Sequence, residues 1–114
     1  MDMTVEAYVA KWHDEKWPDK DDRIVGTKLA EEAGEVCGAL IKIAEGRKTQ
    51  QDMFDEMGDV LIVLSTLAGR HGTTLETLRA DRLATVINRP DPDVSPYAWL
   101  RADPPLQADY VEFE

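Results

Sequence analysis

Residues 29–42, LAEEAGEVCGALIK, and residues 55–68, DEMGDVLIVLSTLA, decide how this chain of 114 residues folds. In both stretches the apolar side chains recur at steps of three and four residues, which is the spacing of one face of an α-helix. Each stretch also carries acidic residues beside that apolar face, where ionised groups are rare. The two stretches are therefore predicted to be helices whose carboxylates do more than face solvent.

The acidic residues of each stretch are three positions apart. A step of three residues turns a helix through about 300°, so Glu32 and Glu35 share one side of their helix, as Glu56 and Asp59 do of theirs. Residues 60–64, VLIVL, cover the circumference of the second helix with apolar groups, and we expect burial on every side. Asp59 leads into that run and is not expected to lie on a simple solvated stripe.

A divalent cation is the best explanation of these paired carboxylates. Converging carboxylates raise one another's pKa and lose hydration, and a bound cation removes both penalties. Oxygen ligands alone favour Mg²⁺, Mn²⁺ or Ca²⁺, whereas zinc normally recruits Cys or His. One acidic pair alone is more often a solvated helix face, but two pairs on adjacent antiparallel helices favour a metal site. Gly34 and Gly58 are poor helix formers inside these motifs, and we expect a helix or ligand to approach closely there.

Periodicity predicts four helices, at residues 4–17, 24–44, 52–68 and 73–88. Thr4 is a candidate N-cap for the first helix, and Asp21 or Asp22 for the second. Thr73 and Glu76 form a capping-box pattern at the start of the fourth. The fold is therefore predicted to be all-α, a four-helix bundle.

The C-terminal part of the chain has a different composition. Residues 90–114 hold five of the six prolines and show no helical period, which predicts an irregular tail. We therefore predict one helical domain over residues 1–89, followed by this tail.

Composition excludes several classes of protein. The net charge of −10 argues against nucleic-acid binding, which requires clustered Lys and Arg. Cys37 is the single cysteine, so no internal disulfide can form, and we expect it to be a buried small side chain. No basic start precedes an apolar run of the signal-peptide kind, and the longest apolar run, residues 60–64, is far shorter than the roughly 20 residues of a membrane helix. We expect a soluble, cytoplasmic protein without membrane contact.

The quoted motifs resemble those of a known family. KLAEEAGEV followed by DEMGDVLIVLSTLA is similar to the MazG-like, all-α nucleoside triphosphate pyrophosphohydrolase superfamily, whose hallmark is EExxE, a spacer and then ExxD. The resemblance covers residues 28–71 well and residues 72–89 loosely. It implies a helical core that assembles into homodimers or homotetramers. It also implies a bound Mg²⁺, with Mn²⁺ as the alternative ion, held by Glu32, Glu35, Glu56 and Asp59.

The activity that this resemblance implies is hydrolysis of a (deoxy)nucleoside triphosphate between its α and β phosphates. The products are a monophosphate and pyrophosphate, and the role is sanitation of the nucleotide pool. The candidate catalytic residues are Glu32, Glu35 and Glu56. Either Glu32 or Glu35 is a candidate to accept the proton of the attacking water, and the sequence does not separate them.

Substrate contacts are expected from basic and aromatic side chains. The candidates for phosphate contact are Lys28, Arg47, Lys48, Arg82 and Arg89. Relatives often carry a Lys and an Arg on the last core helix, where this chain offers Arg82 and Arg89. Trp12, His13 and Trp17 lie where some relatives build a nucleobase pocket. Trp12 is also a candidate core residue of the first helix, and Trp17 a candidate cap at its end.

Three alternative functions use similar motifs. A phosphoribosyl-ATP pyrophosphatase-like enzyme shares the acidic pattern, and a non-catalytic helical module acting as a regulatory or interaction partner would retain the fold. A di-iron carboxylate bundle expects Glu-x-x-His on two helices, and neither His13 nor His71 follows a glutamate by three residues. We therefore set the di-iron function aside.

Overall fold

The structure is a computed structural model and describes residues 2–89. It contains four α-helices, α1 (Val5–Lys16), α2 (Asp22–Ala44), α3 (Gln50–Arg70) and α4 (Leu75–Asn88). No strand occurs within residues 2–89, so the predicted all-α class is confirmed. The predicted irregular tail, residues 90–114, lies outside the described residues.

The chain divides into two compact units, Met1–Asp81 and Arg82–Glu114, with the boundary inside α4. In the first unit, α1 and α2 both pack against α3. None of the helices formed by residues 2–89 is both long enough and apolar enough to cross a membrane.

Polar side chains define where α1, α2 and α3 begin. The Thr4 hydroxyl accepts a backbone hydrogen bond at 3.0 Å, and the Asp21 carboxylate accepts another at 3.1 Å, each from the residue three positions later. Thr49 and Asp52 form a capping box, so α3 begins at Gln50, two residues before the predicted start. An aspartate closes this box in place of the usual Glu or Gln, which is why the pattern was missed.

The start of α4 differs from the predicted capping box at Thr73. The helix begins at Leu75, and the Thr74 hydroxyl accepts the Thr77 N–H at 3.1 Å. The Leu75 N–H donates to a carboxylate oxygen of Glu6, on α1, at 3.0 Å. This long-range acceptor satisfies the first amide of α4, and local sequence could not reveal it.

The buried apolar core of the described residues is made of small side chains, namely Ala10, Val25, Ala39, Val63 and Ala68. At Gly69 on α3 a Cβ atom would overlap the Glu6 carbonyl and lie 2.8 Å from the Ala10 Cβ. The backbones of α1 and α3 can therefore approach closely because Gly69 has no side chain.

Several burial predictions were wrong for the single chain. Leu61 is 51% exposed and Ile62 is 46% exposed, because α1 and α2 cover only part of α3. Cys37 is exposed, since the α2 face that packs on α3 carries Val25 and Ala39 instead. A Cβ at Gly34 or Gly58 would meet no atom within 4 Å, so close approach of a helix within residues 2–89 does not explain these two glycines.

Candidate functional site

Four carboxylates from α2 and α3 converge. Glu32, Glu35, Glu56 and Asp59 each offer one oxygen, and the four oxygens all lie within 4.8 Å of one another. The i, i+3 spacing on each helix brings the two pairs face to face when α2 and α3 pack together. Glu32 is buried and Glu56 half-buried, whereas Glu35 and Asp59 are exposed. The cluster therefore has a buried side and a side open to solvent.

The cluster is electrostatically strained. A hydrogen bond with Glu56, followed by burial and the Glu56 charge, raises the pKa of the Glu35 carboxyl above its ordinary value. Lys28 offsets part of the negative charge, because its ammonium lies 2.7 Å from a Glu31 oxygen and 3.3 Å from a Glu32 oxygen. One ammonium cannot neutralise four carboxylates.

One buried oxygen of the cluster lacks a hydrogen-bond partner within residues 2–89. Glu56 Oε2 is buried and has no hydrogen-bond partner among the described residues. A buried carboxylate oxygen without a partner is costly, and such atoms in native proteins usually mark a bound ion or water. The donor set consists only of carboxylate oxygens, which suits a hard divalent cation such as Mg²⁺ or Mn²⁺. The residues present therefore fit a divalent metal.

A cavity of about 740 Å³ adjoins these carboxylates, a volume in the range of small-molecule sites. Its lining residues are Tyr8, Val9, Trp12, His13, Trp17, Lys20, Ile24, Val25, Lys28, Glu32, Asp59, Ile62, Val63 and Thr66. We call it the aromatic cavity. It combines ring side chains from α1 and its C-cap Trp17 with two lysine side chains and two members of the carboxylate cluster.

The rings of the aromatic cavity contact one another. Trp12 and Trp17 meet edge to face, with centroids 5.5 Å apart, and the His13 ring lies 5.1 Å from that of Trp17. The Lys16 ammonium lies 5.6 Å from the Trp12 centroid and 5.0 Å from that of Trp17. Trp12 is 43% exposed, so its predicted place in the core was wrong. Indole rings of this kind can stack on a nucleobase.

The match to a family model decides which family is involved. The MazG nucleotide pyrophosphohydrolase domain matches residues 23–91, which is more than half of the chain. The chain belongs to this family. No curated protein matches the chain, and no solved structure matches it. The matched region contains all four carboxylates, whereas α1 and its rings precede the matched MazG domain.

The residues predicted to contact the substrate lie in different parts of the chain. His13, Trp17 and Lys28 all line the aromatic cavity. Arg82 lies on α4 and Arg89 follows that helix, both in the second compact unit. Of the other basic candidates, Arg47 pairs with its neighbour Glu45 at 2.7 Å.

Several residues that line the aromatic cavity were not predicted from the sequence. Val63 and Thr66 continue the stripe of Glu56 and Asp59 along α3 at steps of four and three residues, which was an available signal. Thr66 is 1% exposed, and its hydroxyl donates to the Ile62 carbonyl at 3.0 Å.

Proposed function

We propose that this chain is a Mg²⁺-dependent nucleoside triphosphate pyrophosphohydrolase, with Mn²⁺ as an alternative ion. It cleaves a (deoxy)nucleoside triphosphate between the α and β phosphates, and it acts in the cytoplasm to sanitise the nucleotide pool. The observation that carries this proposal is the orphaned buried oxygen of Glu56 within a four-carboxylate cluster beside the aromatic cavity. Membership of the MazG family supports the same reaction class.

Each residue of the site has a proposed role. Glu32, Glu35, Glu56 and Asp59 would hold the metal. The bound cation would neutralise phosphate charge and lower the pKa of water. Glu35 is exposed, whereas Glu32 is buried and lies 3.3 Å from the Lys28 ammonium. Glu35 is therefore the better placed of the two to accept the proton of the attacking water.

The substrate would be held by the cavity itself. Trp17 and His13 present rings for the nucleobase, and Lys28 places a positive charge beside the carboxylates, where phosphates would bind. Burial of the base against the indole rings would exclude water from one end of the nucleotide. Arg82 and Arg89 remain candidates for further phosphate contacts.

A second proposal concerns assembly. The buried apolar side chains of the described residues are all Ala or Val, whereas Phe54, Met57 and Leu61 on α3 are 47%, 44% and 51% exposed. These three residues follow steps of three and four positions and form one apolar stripe, which we call the outer α3 stripe. We propose that it is covered by a second copy of the chain in a homodimer or homotetramer.

The proposed reaction is tested by pyrophosphate release from a panel of nucleoside triphosphates that includes phosphoribosyl-ATP. The site variant is Glu56→Gln, and the matched control is Asp55→Asn, the adjacent α3 carboxylate that pairs with Gln51 at 2.9 Å. We expect Glu56→Gln to lose 100-fold or more, as an order-of-magnitude figure for removing a metal ligand or its support, and Asp55→Asn to keep its activity.

Calorimetric titration with Mg²⁺ and Mn²⁺ on the same three proteins shows whether the loss follows metal binding. If only phosphoribosyl-ATP is hydrolysed, that compound is the substrate in place of a (deoxy)nucleoside triphosphate. No turnover of any compound, with no heat of metal binding, would leave a helical interaction module as the function.

A further inference from the structure

His13 has a fixed neighbour on one side of its ring. Its Nδ1 lies 3.1 Å from Oδ1 of Asp14, and the His13 side chain is only 13% exposed. His13 lines the aromatic cavity, whereas Asp14 lines a separate depression on the surface of the chain. The contact with Asp14 engages Nδ1, which leaves Nε2 as the ring's other polar atom.

Asp14 is held as an anion by Arg70. Nε and Nη2 of Arg70 donate to Asp14 Oδ1 at 3.1 and 2.7 Å, and this pairing lowers the pKa of the Asp14 carboxyl below its ordinary value. Arg70 is itself anchored, because it donates to Asp22 Oδ1 at 2.8 Å and to the Lys20 carbonyl at 2.6 Å. Its side chain is 16% exposed, so the group is rigidly placed.

An ionised carboxylate can only accept hydrogen bonds, so Nδ1 of His13 must carry the proton. The neutral ring then has an unprotonated Nε2, which is a hydrogen-bond acceptor. We propose that Arg70 and Asp14 are positioning residues that hold His13 in this tautomer, so that Nε2 accepts a hydrogen bond from an amino group on the nucleobase. The inference rests on the proposed function and specifies its substrate class as nucleotides with an exocyclic amino group.

Substrate pairs in which a keto oxygen replaces that amino group test the proposal. We compare kcat/KM for pyrophosphate release from dCTP with dUTP, and from dATP with dITP. Each pair exchanges an amino group for a keto oxygen and the adjacent unprotonated ring nitrogen for an N–H. A keto oxygen at the same position would face an acceptor and leave both groups unpaired, and the ring N–H would reach Nε2 only if the base shifted. We therefore expect a preference of about tenfold or more for the amino member of a pair.

Variants then identify the source of the preference. Asp14→Asn can donate to Nδ1 and so permits the other tautomer, and His13→Phe removes the acceptor but keeps a ring. Both changes should reduce the amino-to-keto ratio to within about threefold of unity. Glu15→Gln is the control, because Glu15 is an exposed carboxylate of α1 that pairs with Lys11 at 2.6 Å, and it should keep the wild-type ratio.

The tautomer has its own measurement, which does not depend on turnover. Long-range ¹H–¹⁵N NMR of the imidazoles at about pH 8, where an ordinary histidine is neutral, should show His13 protonated at Nδ1 and not at Nε2. A spectrum in which Nδ1 of His13 carries no proton would overturn the inference.

The kinetic outcomes separate the inference from the proposed function. Turnover with equal efficiency within both pairs, or with a keto preference, overturns the amino-group inference and leaves the pyrophosphohydrolase intact. Absence of turnover for every nucleotide overturns the proposed function together with the substrate class, even where NMR finds the expected tautomer.

Discussion

At the scale of single residues, Glu56 destabilises the metal-free protein in a way that favours binding of a cation. Its Oε2 is buried without a partner among the described residues, and three other carboxylates lie within 4.8 Å of one of its oxygens. Such an arrangement costs free energy in the metal-free protein and is relieved when a cation binds. The cluster should therefore be a weak point of the chain in the absence of divalent ions.

Glu56→Gln should stabilise the metal-free protein. The substitution removes a negative charge and supplies an amide donor beside Glu35, so the melting temperature in EDTA should rise by a few degrees Celsius. Excess Mg²⁺ should raise the melting temperature of the wild type and have much less effect on the variant. Thermal melts with and without Mg²⁺ measure both effects. Equal responses of the two proteins to Mg²⁺ would contradict the assignment of Glu56 as a ligand.

Arg70 is the residue through which α1, the α1–α2 connection and α2 are tied to the end of α3. Its guanidinium contacts Asp14, the Lys20 carbonyl and Asp22, and His71 reaches Asp22 at 2.7 Å. The Arg70 pairings are the leading cause of the lowered pKa of both the Asp14 and the Asp22 carboxyls.

The Arg70 contacts should give stability a defined pH dependence. Because the folded-state pKa values of Asp14 and Asp22 lie below the ordinary 3.8, the ion pairs stabilise the fold above that pH. Their contribution is lost as the pH falls through the lowered values. Arg70→Met should therefore melt well below the wild type at about pH 7, and the gap should narrow below about pH 4.

Arg23→Met is the matched control, since Arg23 is 92% exposed and pairs with Asp21 at 3.0 Å. It should change the melting temperature little at any pH. A pH-independent gap for Arg70→Met would show that Arg70 acts through packing rather than through its charge.

At the scale of elements, the helices were predicted well where their signals are local. Apolar periodicity located α2 and α3. Thr4 caps α1 and Asp21 caps α2, as ordinary N-cap residues do. The predicted start of α4 was two residues too early, because Thr74 and not Thr73 supplies the capping hydroxyl and Glu6 of α1 accepts from the first amide. A distant acceptor leaves no trace in the local pattern.

The crossing of α1 and α3 depends on Gly69. A Cβ at this position would overlap the Glu6 carbonyl and press on Ala10, and backbone atoms cannot move aside cheaply. Gly69→Ala should therefore destabilise the fold by about 3 kcal/mol or more. Urea denaturation followed by circular dichroism gives the free energy of unfolding.

Gly38→Ala is the control for helix propensity, since a Cβ there meets no atom within 4 Å. It should gain up to about 1 kcal/mol. A neutral or stabilising Gly69→Ala would mean that α1 does not pack on α3 in this manner.

At the scale of the whole molecule, the distribution of apolar side chains points to assembly. The buried apolar residues of the described chain are all small, while the outer α3 stripe of Phe54, Met57 and Leu61 is about half-exposed. The stripe lies on the side of α3 roughly opposite Glu56 and Asp59, as helical geometry requires for these positions. A second copy could therefore cover the stripe without blocking the carboxylates.

Leu61→Glu should break the assembly. A charge in a buried apolar interface is unpaired and costly, so sedimentation velocity should show a lower mass for this variant than for the wild type. Val5→Glu, an equivalent change at a 70% exposed position of α1, should leave the mass unchanged. A monomeric wild type at high protein concentration would contradict the proposed assembly.

The sequence by itself determined the all-α class, the helices and the four carboxylates, because helical periodicity and i, i+3 spacing are local properties. It also predicted that His13 and Trp17 belong with the site, through family resemblance. Only the tertiary structure decided that an oxygen of Glu56 has no hydrogen-bond partner within residues 2–89, that Arg70 reaches Asp14, and that α3 keeps an exposed stripe. These features arise from contacts between residues far apart in the chain, and the packing of α1 and α2 on α3 determines them.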